Sequence, residues 1–305
     1  MRILLAGASG VLGRKAVREL TAAGHEVAGL GRGPANTLRA DLLDREAVLR
    51  AVGGQCFDAV VHAATALQGR SMMRHRDMAG TDALRTGGTV NLLKAAREVG
   101  ARRIVLETMM FGYGYGEHGD RPLEEGRDEY GPRVADPRER AHVDAMRAKE
   151  DLAFAADGLS AVSLRYGLFY GEGVSDTALL PLLRRRALPV APDHGRKLSW
   201  VDVDDAARAI VLALEKGGDD RAYNIADDLP LGFGTHVRAV AEAFGAPKPM
   251  SVPRWLFRPA PLAACMLATN LRMSTARARR ELGWEPSTDG PRRLAELAAR
   301  TPVAV

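Results

Sequence analysis

Cysteine is scarce in this chain, with only Cys56 and Cys265 among 305 residues. Two distant thiols make neither a disulfide framework nor a thiolate metal motif, so both read as reduced, packed side chains. Histidine offers no substitute, because the seven histidines show neither HxxxH nor HExxH spacing, and no metal site is expected. Aromatic residues make up 5% and do not gather with the basic ones, most of which are arginines scattered along the chain. The net charge of +5 therefore does not amount to a nucleic-acid surface. Long apolar runs are missing too. The most apolar stretch, WLFRPAPLAACMLATNL at 255 to 271, is interrupted by arginine and proline and falls short of a membrane span. It is expected to form a buried helix or helical hairpin, with a substrate-pocket wall or a subunit contact as the other readings. The opening MRILLAG runs directly into a strand with no basic leader or cleavage site, which reads as a cytoplasmic chain.

What is present is an ordinary globular composition, 46% apolar and 27% charged, with a regular order of elements. RILLA, VLGRKAVRELTAAG, EVAGL, REAVLRAV, DAVVHAA, TVNLLKAAREVG and RIVLE alternate short β-rich runs with amphipathic helical ones. Such alternation predicts a parallel sheet covered on both faces, an α/β fold of the doubly wound Rossmann type. A helix from about Asp136 to Ala156 and the strand SAVSLRY continue the pattern, and prolines then break the rhythm after Tyr166. WVDVDD is expected to start a helix over roughly Asp204 to Glu215, capped by Asp202 or Asp204. The expected division is a dinucleotide-binding domain at 1–166 and 202–220, with a smaller, discontinuous C-terminal substrate-binding domain at 167–201 and 221–305.

LLAGASGVLGRKAV places Gly7, Gly10 and Gly13 between the first strand and the first helix, together with Ser9, Val11 and Leu12. A pyrophosphate has to reach backbone N–H groups at a helix N-terminus, and a Cβ in such a turn would obstruct it. The third glycine allows close packing of helix on strand. At the end of the second strand, EVAGLGRG sets Gly31 and Arg32 where an acidic side chain would bind a ribose 2′-hydroxyl. A guanidinium pairs bidentately with a 2′-phosphate, so NADP(H) is favoured over NAD(H).

The GxxGxxG spacing resembles the extended short-chain dehydrogenase/reductases, the NAD(P)-dependent epimerase/dehydratase-like family. DLLD at 41 to 44, DAVVHAAT, LRYGLFYGEG, SWVDVDDAARA, YNIADD and ELGWEP resemble segments of that family over nearly the whole chain. The resemblance implies that Asp41 and Leu42 lie against the adenine and that Ala63, Ala64 and Thr65 line the dinucleotide. It also implies that Tyr166, Gly167 and Tyr170 lie near the nicotinamide, the tyrosines as shape rather than as acids. In this family a Ser or Thr after the fifth strand and a Tyr-x-x-x-Lys on the next helix carry the chemistry. Lys149 matches the lysine, which holds the ribose, and Thr108 is the best match to the hydroxyl residue. The register is open there, since both Gly112 and Gly114 resemble the glycine that follows. Ala145 takes the tyrosine's place, and no tyrosine lies between Tyr130 and Tyr166.

A lost general acid costs on the order of 10²–10⁴ in rate, so a substitute is sought. His142, seven residues before Lys149 and on the same helix face, is one candidate. Tyr113, Tyr115 and His118 in FGYGYGEHGD are others. The expected function is an NADP(H)-dependent oxidoreductase, a ketone/alcohol reductase or epimerase-type enzyme with an atypical proton donor. Its substrate would be a small molecule such as a nucleotide sugar or secondary metabolite. The alternative is a non-redox isomerase, cyclase or NADP-sensing protein on the same fold. Family members pair the lysine-bearing helix with its neighbour, so a homodimer is possible where Glu139, Asp144 and Glu150 match the arginines of RVADPRERAHVDAMRAKE.

Overall fold

A computed structural model describes residues 1–67, 72–287 and 290–300. The first half runs β1 (Arg2–Ala6), α1 (Val11–Ala22), β2 (Glu26–Gly31), β3 (Leu38–Arg39), α2 (Arg45–Val52) and β4 (Ala59–His62). A long helical run follows, α3 (Ala79–Ala83) and α4 (Thr89–Glu98) joined by a π turn at Leu84–Gly88, and then β5 (Arg103–Met109). α5 (Pro137–Phe154), β6 (Ser160–Tyr166), β7 (Leu168–Tyr170), α6 (Leu180–Arg184), β8 (Trp200–Asp202) and α7 (Val203–Lys216) continue the chain. It closes with β9 (Arg221–Ile225), α8 (Phe233–Ala243), α9 (Pro261–Ala268) and α10 (Gly290–Arg300).

Seven strands form one sheet in the order β3-β2-β1-β4-β5-β6-β9, and every pairing in it is parallel. Parallel strands are covered on both faces and so read as unbroken apolar runs. β4, AVVH, is buried at all four positions. α1 turns Leu12, Ala16 and Leu20 inward at helical spacing and packs with α7 on one face of the sheet. α2, α4 and α5 cover the other face around Leu4, Val60 and Ile104. Each fully buried Leu or Ile in these two layers contributes roughly 1.5–3 kcal/mol. Strand order reverses direction between β1 and β4, and α/β sheets open a ligand crevice at the C-terminal ends of strands at such a point.

The cap expected for α7 is present, and α5 has an aspartate cap as well. Asp136 caps α5 by accepting from the Arg138 N–H, and Asp202, rather than Asp204, caps α7. Two other expectations need correction. Residues 221–225, assigned from sequence to the small domain, form β9 and pair with β6 at the edge of the main sheet. The apolar stretch 255–271 is no buried hairpin, since only Leu262 of α9 is buried and Trp255 and Leu256 are 61% and 46% exposed. β7 and β8 make a separate two-stranded sheet. Around it Tyr170, Leu183, Val190, Trp200, Val237 and Leu294 form a core of their own.

Candidate active site

At the crevice the chain leaves β1 through Gly7, whose φ is +92°. A Cβ there would stand 2.6 Å from the Ala63 carbonyl oxygen at the end of β4. At Gly13 it would stand 2.0 Å from the Gly7 carbonyl oxygen, so the first turn of α1 lies directly on the loop. Gly10 is different, because a Cβ there would meet only the Gly7 carbonyl, at 3.2 Å. Gly10 is the N-cap of α1, and no side chain caps that helix. Free N–H groups with the positive end of the helix dipole suit an anionic group. Ser9 and Val11 are half-buried beside them, and Leu12 is buried beneath. This loop therefore fits a dinucleotide pyrophosphate on its own geometry.

Past β2, Arg32 extends into solvent with its side chain 74% exposed, and its Nη1 lies 3.9 Å from an Asp41 carboxylate oxygen. Asp41 also accepts the Leu43 N–H, while Leu42 is buried. Asn36, which no sequence motif marks, is buried against Gly29 and Gly31, and its Oδ1 has no partner among the described residues. At the end of β4, Ala63 is buried, Ala64 half-buried and Thr65 exposed, so exposure increases toward the crevice.

Lys149 is fully buried. Its ammonium donates to the His62 carbonyl at 3.2 Å, to the Glu107 carbonyl at 2.6 Å and to the Glu107 carboxylate at 3.4 Å. It thereby ties the ends of β4 and β5 together. Burial lowers its pKa to about 8 against the pull of Glu107, and Arg85 lowers it further. All three of its donors have partners within the chain, so a ribose would have to replace one of them. His62 is also buried, with Nε2 3.3 Å from the Leu84 carbonyl oxygen and Nδ1 without a partner among the described residues. Burial holds its pKa well below the usual range, with Lys149 adding to the effect.

Ala145 faces inward at 4% exposure, and the side chains expected to compensate for it are committed elsewhere. Thr108 does not reach the crevice. Its hydroxyl lies between sheet and α5, 3.0 Å from the Ser163 hydroxyl and 3.3 Å from the Glu150 carboxylate. Tyr113 donates to Asn224 Oδ1 and accepts from Arg165, both at 2.9 Å, and burial pushes its pKa up to about 12. His142 is buried with both ring nitrogens occupied, Nδ1 2.6 Å from Asp82 and Nε2 3.0 Å from His75 Nδ1. Tyr166 faces the α7 layer and donates to the Ala206 carbonyl, so it is a core residue rather than a wall of the nicotinamide site. Gly167 permits a close approach, since a Cβ there would lie 2.7 Å from the Ser199 carbonyl oxygen. Tyr130 donates to the Met109 carbonyl, and His118 Nε2 lies 3.1 Å from the Gly114 carbonyl oxygen. Tyr115 alone of the six tyrosines has no hydrogen-bond partner among the described residues, and burial raises its pKa well above the usual value.

A buried network beneath the site escaped the sequence reading. Glu150, expected at a subunit surface, instead receives both Arg165 Nε at 2.9 Å and Nη2 at 2.6 Å. The Arg165 guanidinium lies over the Tyr130 ring, 3.8 Å from its centre. Alternation along β6 offered a faint signal, since Ser163 and Arg165 share the face opposite Leu164 and Tyr166. Among the described residues no group of three potential ligands could hold a metal ion, and no helix is long and apolar enough to cross a membrane.

Comparison with known proteins agrees with this fold. A Streptomyces protein named 3-diazoavenalumate denitrifying reductase is 36% identical over 301 residues, 94% of this chain and 96% of that protein. The 2-alkyl-3-oxoalkanoate reductase of Stenotrophomonas maltophilia is 31% identical over 81% of this chain and 77% of its own length. The human epimerase family protein crystallised with NADPH superposes with a TM-score of 0.79 at 20% identity, covering 99% of this chain and all of that one, a likeness of fold. The model of the NAD dependent epimerase/dehydratase family matches residues 3–226. The chain therefore belongs to the NAD-dependent epimerase/dehydratase family of nicotinamide-dependent oxidoreductases and epimerases.

Proposed function

We propose that this protein is an NADP(H)-dependent reductase of a carboxylate-bearing small molecule, acting on an acceptor that needs no proton from a tyrosine. The observation that carries this reading is that, among the described residues, the side chains expected to replace the tyrosine as acid are committed elsewhere. Ala145 stands in the tyrosine's place, and Thr108, Tyr113 and His142 all have partners inside the chain. Tyr115 is free, but burial moves its hydroxyl further from releasing a proton at neutral pH.

The pyrophosphate would lie on Gly7, Gly10 and the N-terminus of α1, and Arg32 would pair with the 2′-phosphate. Lys149 would secure the ribose by exchanging one of its carbonyl partners. The bound cofactor supplies a hydride. An acceptor with a carbonyl ends as an alkoxide and must be protonated, whereas an aryl diazo group needs no such help. There the C–H bond forms at the ring carbon as the C–N bond breaks, and the electron pair of that bond leaves with dinitrogen. The name of the Streptomyces relative gives a diazo substrate and a denitrifying reduction. Both reductase relatives are named for carboxylate substrates, which supports an acidic acceptor here.

The test compares NADPH oxidation with two carboxylate-bearing acceptors, an ortho-diazophenol and a 3-keto acid. Faster turnover of the diazo compound by about 10²-fold or more is expected, in line with the usual contribution of a general acid. Equal or faster turnover of the ketone contradicts the reading.

A further inference from the structure

Arg85 lies in the π turn between α3 and α4, and single π turns inside α-helices recur at functional sites. It is 2% exposed. Among the described residues, one of the five N–H donors of its guanidinium is committed, Nη1 to Asp82 Oδ1 at 3.1 Å. Its Nε is buried and has no partner among the described residues. A buried cation with an unmet donor is unfavourable unless a bound molecule supplies the acceptor.

The guanidinium is also fixed from behind. Asp82 offers its second oxygen to His142 Nδ1 at 2.6 Å, and His142 Nε2 lies 3.0 Å from His75 Nδ1. The two imidazoles stack with centres 5.2 Å apart. A chain His75–His142–Asp82–Arg85 thus runs from the half-buried His75 to the interior, and α5 carries its middle member one turn before Ala145. On the other side, the Leu84 carbonyl next to Arg85 is held by His62, whose own carbonyl holds Lys149. The unpartnered Tyr115 hydroxyl lies within the electrostatic reach of Arg85 and Asp82. Arg85 therefore adjoins the ends of β4 and α5 where the acceptor must lie, and it belongs to none of the motifs recognised in the sequence.

We infer that Arg85 binds the carboxylate of the acceptor, with Asp82, His142 and His75 as positioning residues that fix its orientation. A guanidinium presents parallel N–H groups that match a carboxylate's two oxygens, a fit that a lysine ammonium lacks. This inference rests on the reductase reading and names the group that anchors its substrate.

The experiment titrates the full chain, saturated with NADP⁺, with 4-hydroxycinnamate and with the neutral 4-hydroxycinnamamide by calorimetry. The acid is expected to bind at least about tenfold more tightly than the amide, as a charge-assisted pair should. In Arg85→Met that preference is expected to vanish while NADPH affinity stays within about twofold of native. A preference that persists in Arg85→Met overturns the inference, as does failure of the native protein to bind or prefer the acid. Failure of the native protein to bind NADPH sinks the reductase reading instead and is measured first.

Should Arg85→Met not fold, the ¹⁵N-labelled native protein provides the second measurement. The Arg85 Nε–H resonance, assigned by its loss in Arg85→Lys, is expected to shift on adding 4-hydroxycinnamate and not on adding the amide. An unmoved resonance at saturating acid overturns the inference equally.

Discussion

At the scale of single residues, the glycine loop was legible because its demands are on the backbone. A residue with φ of +92° and a helix turn lying on a carbonyl oxygen leave glycine as the fitting choice at positions 7 and 13. Gly13→Ala places a methyl 2.0 Å from the Gly7 carbonyl oxygen, so loop or helix must shift. Urea unfolding is expected to show a loss of about 1–3 kcal/mol, together with weaker NADPH binding. Unchanged stability and affinity would show that the loop tolerates a shape it should exclude. Arg32 stands after β2 with its side chain exposed. Arg32→Ala is expected to weaken NADPH binding by about tenfold or more while leaving NADH binding nearly unchanged, as seen by energy transfer from tryptophan. An equal loss for both cofactors would move the 2′-phosphate contact elsewhere.

The catalytic candidates were less legible, because a side chain's direction depends on strand parity and on partners far away in sequence. Thr108 lies near the end of β5 and Thr65 three residues past β4, yet Thr108 turns into the α5 layer while Thr65 is exposed. Arg85 left no local signal at all. In a chain so rich in arginine, what sets it apart is the combination of burial with an Nε that has no partner among the described residues.

At the scale of elements, sequence periodicity located the strands and helices of the main sheet well, and the aspartate cap of α7 with them. It failed at β9, where a short strand follows a turn and its place at the sheet edge is set by pairing with β6. It failed again at α9, whose apolar composition suggested a core helix although tertiary contacts leave it half-buried. The junction of β7 and β8 with the segment after β9 also carries a pH dependence.

Asp227 is buried there and receives the Tyr170 hydroxyl at 2.5 Å. Burial raises its pKa from 3.8 to about 7, with Asp205 and Asp202 adding to the rise against that hydrogen bond. An acid with a raised native pKa binds more protons folded than unfolded, so its contribution falls as pH climbs from about 4 to about 7. His236, which shares the Tyr170 ring, acts in the opposite sense. Burial lowers its pKa to about 3, so its contribution is lost as pH falls below the usual imidazole range. The two oppose each other between about pH 4 and pH 6.5 in the native protein. Comparison with Asp227→Asn isolates the carboxyl. The stability of the variant relative to native is expected to rise across that window by at most ~1.4 kcal/mol per pH unit and then to level off above about pH 7. A difference that does not change with pH would show that Asp227 is charged in the folded protein.

At the scale of the whole molecule, family membership and fold were the most legible features, since alternating elements and a phosphate loop at their start constrain the topology strongly. The reaction was the least legible. A site with Ala145 in the tyrosine's place looks defective in sequence, and the proposal about the acceptor rests on the commitments of Thr108, Tyr113 and His142 within the structure. The central claim is hydride delivery without a protein acid, and it is tested most directly by following the hydride. NADPH deuterated at C4 of the nicotinamide is incubated with the protein and a carboxylate-bearing ortho-diazophenol, and the product is analysed by NMR while released dinitrogen is quantified. The expected result is deuterium at the carbon that carried nitrogen, dinitrogen released in step with NADPH oxidised, and a rate that stays level across neutral pH. Hydrogen drawn from water at that carbon, or NADPH left unconsumed by the diazo compound yet oxidised by a matching ketone, would contradict the claim.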